Sequence, residues 1–177
     1  WIEIFTDKPD PTFRSISPHC RSPALMTPDG GVFETGAIAM YLGEKFPKFN
    51  LIIKPEDPRR GVFLQWFYYL GTTLQPDVMI QFHPEFYTKN KETAAELQKA
   101  SLIRLSQVFK ILDEALQEGP FFFGDELTIL DFLLAMQTIW TEIFPNGINQ
   151  YKNLNRHMQT ITNRNTVRSI LIKHNIN

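Results

Sequence analysis

The chain lacks most of the features that tie a protein to a membrane, a metal or a disulfide framework. One cysteine, Cys20, stands in 177 residues, so no intramolecular disulfide can form. No run of about eighteen apolar residues is present to span a bilayer, and no basic segment followed by an apolar core marks a secretory leader. Both point to a reducing cytoplasm. Charge of one sign is also missing: 18 basic against 19 acidic residues leave a formal charge of -1, which argues against a nucleic-acid or membrane partner. The four histidines, at 19, 83, 157 and 174, show no metal-ligand spacing, and no glycine loop is built to cradle phosphate. Internal repeats and low-complexity tracts are absent too. What is present is apolar side chain, 43% of the residues, and an aromatic share of 13%, enough for one sizeable core or two small ones.

The chain is punctuated unevenly. Residues 1–46 mix short elements: an apolar WIEIF, a Pro/Asp-rich turn, PALM, a PDGG turn, then a helix with Ile38, Tyr41, Leu42 and Phe46 on one face. That is an α/β pattern. Residues 47–57 carry Pro47 and Pro55 and read as a linker lying against the surface through Leu51, Ile52 and Ile53. Residues 58–177 read as all-helical. Arg59 to Phe82 is apolar and aromatic on most sides, as a central buried helix would be, and Leu105, Val108, Leu112 and Leu116 form a stripe at helical spacing. GPFFFGDEL breaks the pattern before Thr128 and Asp131 open the next helix.

Two places in the first 46 residues carry chemistry. Ser22-Pro23 enters a short strand from a polar turn, a setting for a cis bond that would turn the Ser22 backbone outward to pair with an extended peptide-like ligand. An ordinary trans proline is the alternative for the dipeptide alone. Eleven residues on, Glu34 and Thr35 begin a helix, whose first-turn N–H groups and dipole suit a carboxylate, while the Glu34 carboxylate suits an ammonium group. One position thus offers a complement to both ends of an α-amino acid. The competing reading is a pair that merely caps its own helix.

Pro18, Pro23, Ala24, Leu25, Asp29, Gly30, Glu34, Thr35, Ala37, Ile38, Tyr41 and Leu42, followed by FGDELTILDF at 123–132, resemble the cytosolic glutathione S-transferase family over nearly the whole chain. The resemblance implies a thioredoxin-like N-terminal domain and a helical-bundle C-terminal domain. It also implies that Trp1 falls at the family's second strand, so that a βα unit of about thirty residues, bearing the catalytic Tyr, Ser or Cys, is missing from this sequence. On this reading the catalytic residue is unknown and no metal is used. Glutathione is the co-substrate, held by Arg21 near its glycyl carboxylate, by the backbone of Ser22 ahead of cis Pro23, and by Glu34 and Thr35 at the γ-glutamyl end. Thr128 and Asp131 correspond to the family's capping box. Ser22 stands where an aliphatic residue is usual, Cys20 where glycine is common, and Leu130 where alanine is common.

The implied reaction is conjugation of the glutathione thiolate to a small electrophile, between the two domains, in a cytoplasmic homodimer joined partly through the Arg59–Phe82 helix. The alternative is a non-catalytic interaction or regulatory module with the same fold. For the electrophile, Phe82, Phe86 and Tyr87 offer aromatic surface and His83 a polar group, although for His83 the residues alone favour a helix-end histidine without a ligand. Cys20 lies in a turn without a partner cysteine or an evident base. His157 and His174, set among Asn, Lys and Arg, are expected to be solvated, and Phe121–Phe123 to pack in the core and loop.

Overall fold

A computed structural model describes residues 10–145 and 147–176. The WIEIF segment, expected as a strand, lies outside the described residues. The chain divides into two compact units, the first ending at Ile52 and the second running from Ile53.

Among the described residues, the first element of the first unit is a short helix, α1 (Pro11–Ile16). Asp10 caps it, accepting from Thr12 N at 2.7 Å and Phe13 N at 3.3 Å, while Pro11 fills the first-turn position where no N–H is needed. These bonds hold the Asp10 carboxyl below its usual range, the Thr12 backbone bond contributing most. An antiparallel hairpin follows, β1 (Ala24–Thr27) and β2 (Gly30–Phe33), in the register Ala24↔Phe33 to Thr27↔Gly30. Thr27 Oγ1 closes its turn by donating to Gly30 O at 2.8 Å and accepting from Asp29 N at 3.2 Å. Gly30 takes φ of +126°, a conformation open to glycine. Gly31 is required for a different reason: a Cβ there would sit 2.8 Å from Ile16 Cγ2, so its absence lets α1 lie directly on β2.

Helix α2 (Thr35–Lys45) closes the unit. Its expected apolar face is only partly covered, since Leu42 is 39% and Phe46 48% exposed, while Gly43 is the position that is buried.

The second unit is helical: α3 (Arg60–Tyr69), α4 (Gln75–Phe82), α5 (Lys91–Ala115), α6 (Ile129–Thr141), α7 (Lys152–Thr162) and α8 (Asn165–Lys173). The expected stripe on α5 is its core face, with Leu105, Val108, Leu112 and Leu116 all buried. Phe63, Leu70, Leu74, Val78, Leu134 and Leu154 are buried as well.

The segment from Arg59 to Phe82 is not one buried helix. A π turn, Leu70–Leu74, separates α3 from α4, and Val62, Tyr68 and Phe82 are exposed. Its aromatics divide between a covered side, Phe63, and an open side, Tyr68, which composition alone does not distinguish.

The ends of α5 and α7 are tied to one another. Tyr151, at the N-cap of α7, offers no side-chain cap, and Asp113 from α5 accepts instead from Asn153 N at 2.7 Å and Leu154 N at 2.8 Å. In return, Arg156 of α7 donates to the carbonyls of Leu116 and Gly119 beyond the end of α5.

Candidate functional site

The loop from α1 to β1 is shaped by Ser17, a residue that sequence reasoning did not single out. Ser17 is 2% exposed. Its Oγ donates to Arg21 O at 2.9 Å and accepts from Arg21 N at 3.0 Å, closing a ring around Pro18, His19 and Cys20. Cys20 N donates to Ser17 O at 2.8 Å, and Cys20 itself takes φ of +52°. Cys20 is a free, half-buried thiol. This clasp delivers the chain into Ser22-Pro23, whose peptide bond is cis. The only sequence signal for it was a serine directly before a proline in a turn.

The hairpin register brings the two halves of the predicted glutathione site together. Ala24 pairs with Phe33, so Pro23 and Glu34, the next residues outward on each strand, flank the same end of the ladder. Glu34 adopts φ of +72° and ψ of +123°, a region that a side-chain-bearing residue occupies at a cost of about 1–3 kcal/mol. It makes no side-chain cap bond to α2, so the helix begins with its first-turn N–H groups uncapped. Simple capping therefore does not account for Glu34. Glu34 is exposed and Thr35 half-buried.

In the second unit, Phe82, His83, Phe86 and Tyr87 cluster at the end of α4 and in the 3₁₀ turn after it, Pro84–Phe86. Phe82 packs on Phe144, ring centroids 5.4 Å apart. His83 stacks on Phe86 at 4.9 Å, and its Nδ1 lies 2.9 Å from Glu85 Oε1.

Thr128 and Asp131 form a complete capping box on α6. Asp131 Oδ2 accepts from Thr128 N at 2.7 Å and Thr128 Oγ1 at 3.1 Å, and its Oδ1 accepts from Phe122 N at 3.0 Å. The fourth donor corrects an expectation. His157 is not solvated; it is fully buried, with Nε2 3.1 Å from Asp131 Oδ1. Since a carboxylate only accepts, Nε2 carries the hydrogen. Leu154, His157, Met158 and Ile161 occupy the buried face of α7 at helical spacing, and that stripe was the overlooked signal. His174 is exposed. Phe122 and Phe123 pack against Trp66, His157 and Phe63.

Among the described residues, no group of three or more His, Cys, Asp and Glu is placed to hold a metal, and no helix is long and apolar enough to cross a membrane.

This architecture, an α/β unit with a cis proline beside an uncapped helix start, followed by a helical bundle with a buried capping box, corresponds to proteins already known. The family model of the glutathione S-transferase C-terminal domain matches residues 76–165, and the chain belongs to that family. Glutathione S-transferase D6 of Drosophila melanogaster is 26% identical over 148 residues, which cover 83% of this chain and 66% of that protein. A glutathione transferase homologue from sulfitobacter, solved with bound glutathione, superposes with a TM-score of 0.83 at 22% identity, covering 93% of this chain and 79% of its own. The beta-class glutathione S-transferase of Sphingomonas chungbukensis gives a TM-score of 0.80 at 20% identity, with coverage of 93% and 79%. The fold is thus a thioredoxin-like domain followed by an all-helical one.

Proposed function

We propose that the protein is a glutathione transferase that joins the glutathione thiolate to a small electrophile. The observation that carries this reading is Glu34: a strained, exposed carboxylate at an uncapped helix start, one residue beyond the ladder end that it shares with cis Pro23. The uncapped N–H groups and the Thr35 hydroxyl donate to the γ-glutamyl carboxylate, Glu34 pairs with its ammonium, the Ser22 backbone pairs with the cysteinyl peptide, and Arg21 takes the glycyl end. The sulfitobacter homologue with bound glutathione supports the assignment of the ligand.

The electrophile rests on the aromatic surface of Phe82, His83, Phe86 and Tyr87, and no metal takes part. The protein is a cytoplasmic homodimer. Exposed Val62 and Tyr68 on α3 support an isologous contact, of the usual size of about 1,600 Å².

Retention on immobilised glutathione, followed by titration of the eluted protein, tests the reading. Glu34→Ala is expected to weaken binding by about 1.5–3 kcal/mol, the contribution of a charge-assisted hydrogen bond. Unchanged affinity in the variant removes Glu34 from the site. Binding without turnover of any electrophile makes the protein a glutathione-binding module instead of an enzyme.

A further inference from the structure

Ser17 is outside the set of residues assigned to glutathione, yet every polar group it has is engaged where that site begins. Its N–H donates to Phe13 O at 2.8 Å and its carbonyl accepts from Cys20 N at 2.8 Å, while Oγ donates to Arg21 O at 2.9 Å and accepts from Arg21 N at 3.0 Å. The first of these bonds ties it to the end of α1 as that helix's C-cap. The residue before it, Ile16, lies against Gly31 of β2, the strand that leads to Glu34, so Ser17 has a fixed footing on the hairpin.

The two Oγ bonds act on different peptide units. Arg21 N belongs to the unit shared with Cys20, and Arg21 O to the unit shared with Ser22. Among the described residues only Ser22-Pro23 is cis, so the Arg21-Ser22 unit is trans, and in a planar trans peptide the C=O and N–H point in opposite directions. Holding Arg21 O toward the buried hydroxyl of Ser17 therefore turns the Ser22 N–H away from it, and Ser22 is exposed. Cys20, at φ of +52°, keeps a conformation that is costly to a residue with a side chain. Without the hydroxyl the loop gains by relaxing that residue, and relaxing it turns both peptide units. Ser17 is 2% exposed, so water takes over these bonds only if the loop opens.

We propose that Ser17 is a positioning residue of the glutathione site: its hydroxyl fixes the direction of the Ser22 N–H, which donates to the cysteinyl carbonyl of glutathione. Ser17 itself touches no ligand atom. This role rests on the transferase reading, and it makes the cysteinyl half of the ligand depend on a hydroxyl five residues upstream, while the γ-glutamyl half, at Glu34 and Thr35, does not.

The test compares two ligands by NMR titration of the whole chain: glutathione, and γ-glutamylethylamide, which keeps the γ-glutamyl end but has no cysteinyl carbonyl. Ser17→Ala is expected to weaken glutathione binding about fivefold, the factor of one neutral hydrogen bond, and to leave γ-glutamylethylamide binding unchanged. Ser17→Thr, which keeps the hydroxyl, should keep most of the glutathione affinity. A purely structural loss lowers the folded fraction and weakens both ligands by one factor, so equal weakening in Ser17→Ala overturns the proposal, as does an unchanged glutathione affinity. If Ser17→Ala does not fold, Ser17→Cys in reducing buffer gives the same comparison, because the thiol fills the space of the hydroxyl but bonds weakly. A full preference for glutathione surviving there overturns the proposal as well. A wild-type chain that binds neither ligand overturns the transferase reading and this role with it, whereas one that binds glutathione with a preference unmoved by Ser17→Ala overturns the role of Ser17 alone.

Discussion

Replacing Asp131 by Asn should destabilise the helical unit by about 3 kcal/mol while barely changing side-chain volume. The fully buried carboxylate accepts four hydrogen bonds, two at each oxygen: Thr128 N and Oγ1 at Oδ2, Phe122 N and His157 Nε2 at Oδ1. An amide has one oxygen, so whichever way the asparagine turns, its NH₂ group faces two of those donors. The Thr128 hydroxyl can rotate to accept and the imidazole can change tautomer, but the backbone N–H of Thr128 or of Phe122 cannot adapt. Two lost charge-assisted bonds at about 1.5 kcal/mol each give about 3 kcal/mol. For a chain of this length that corresponds to a fall in Tm of about 6–12 °C. Urea unfolding followed by circular dichroism should show the midpoint fall with the slope unchanged. Thr128→Ala should cost about 1 kcal/mol and Thr128→Ser much less, because serine keeps the hydroxyl. A loss under about 1 kcal/mol for Asp131→Asn would refute the view that the carboxylate's charge organises this junction.

Three further outcomes follow from the geometry. Leu112→Ala, at a fully buried point of the α5 stripe, should lower unfolding stability by about 2–5 kcal/mol in denaturant titration. The Asp57 carboxyl, hydrogen-bonded by the Arg59 guanidinium and backbone, is lowered to about 2. A depressed carboxylate stabilises the fold above its unfolded pKa and loses that contribution as pH falls through the folded value, so the Asp57–Arg59 contact should weaken between about pH 4 and pH 2. Carboxyl NMR should show this midpoint returning to the ordinary range in Arg59→Ala. Gly31→Ala should force α1 off β2, because its Cβ would fall 2.8 Å from Ile16 Cγ2 and 3.0 Å from Ile16 Cα, and limited proteolysis between residues 16 and 24 should quicken.

What could be read from the sequence was whatever is encoded locally. The α5 stripe is visible because Leu105, Val108, Leu112 and Leu116 repeat at the helical period, and the capping box because Thr128 and Asp131 are three residues apart. Pro23 and Glu34 were legible one at a time, as a proline entering a strand and as a helix start, and the resemblance alone joined them; that they flank one end of the ladder comes from the hairpin register. His157 was misread because its partner, Asp131, is 26 residues away and its neighbours in sequence are polar; only its place in the stripe with Leu154, Met158 and Ile161 marks it as buried. The division of the Arg59–Phe82 segment by a π turn had no signal either, since aromatic side chains serve a covered face and an open one equally well. The Ser17 clasp depends on a hydroxyl bonding a backbone four residues on, which composition does not announce.

The exchange of caps between α5 and α7 bears on the order in which the chain acquires structure. Helix α7 has 11 residues, fewer than an isolated helix needs for appreciable population in water, and its first-turn N–H groups find their acceptor, Asp113, about 40 residues upstream. A peptide spanning 152–162 should therefore be largely unstructured in water. Because α5 is 25 residues long and capped within its own sequence by Asn90, it can begin forming before α7 is in place. Helix α7 thus condenses onto a template, and during synthesis its residues must leave the ribosome before the end of α5 can receive Arg156. The junction joins last what the chain makes late, and an interruption of synthesis before residue 156 would leave the carbonyls of Leu116 and Gly119 without that partner.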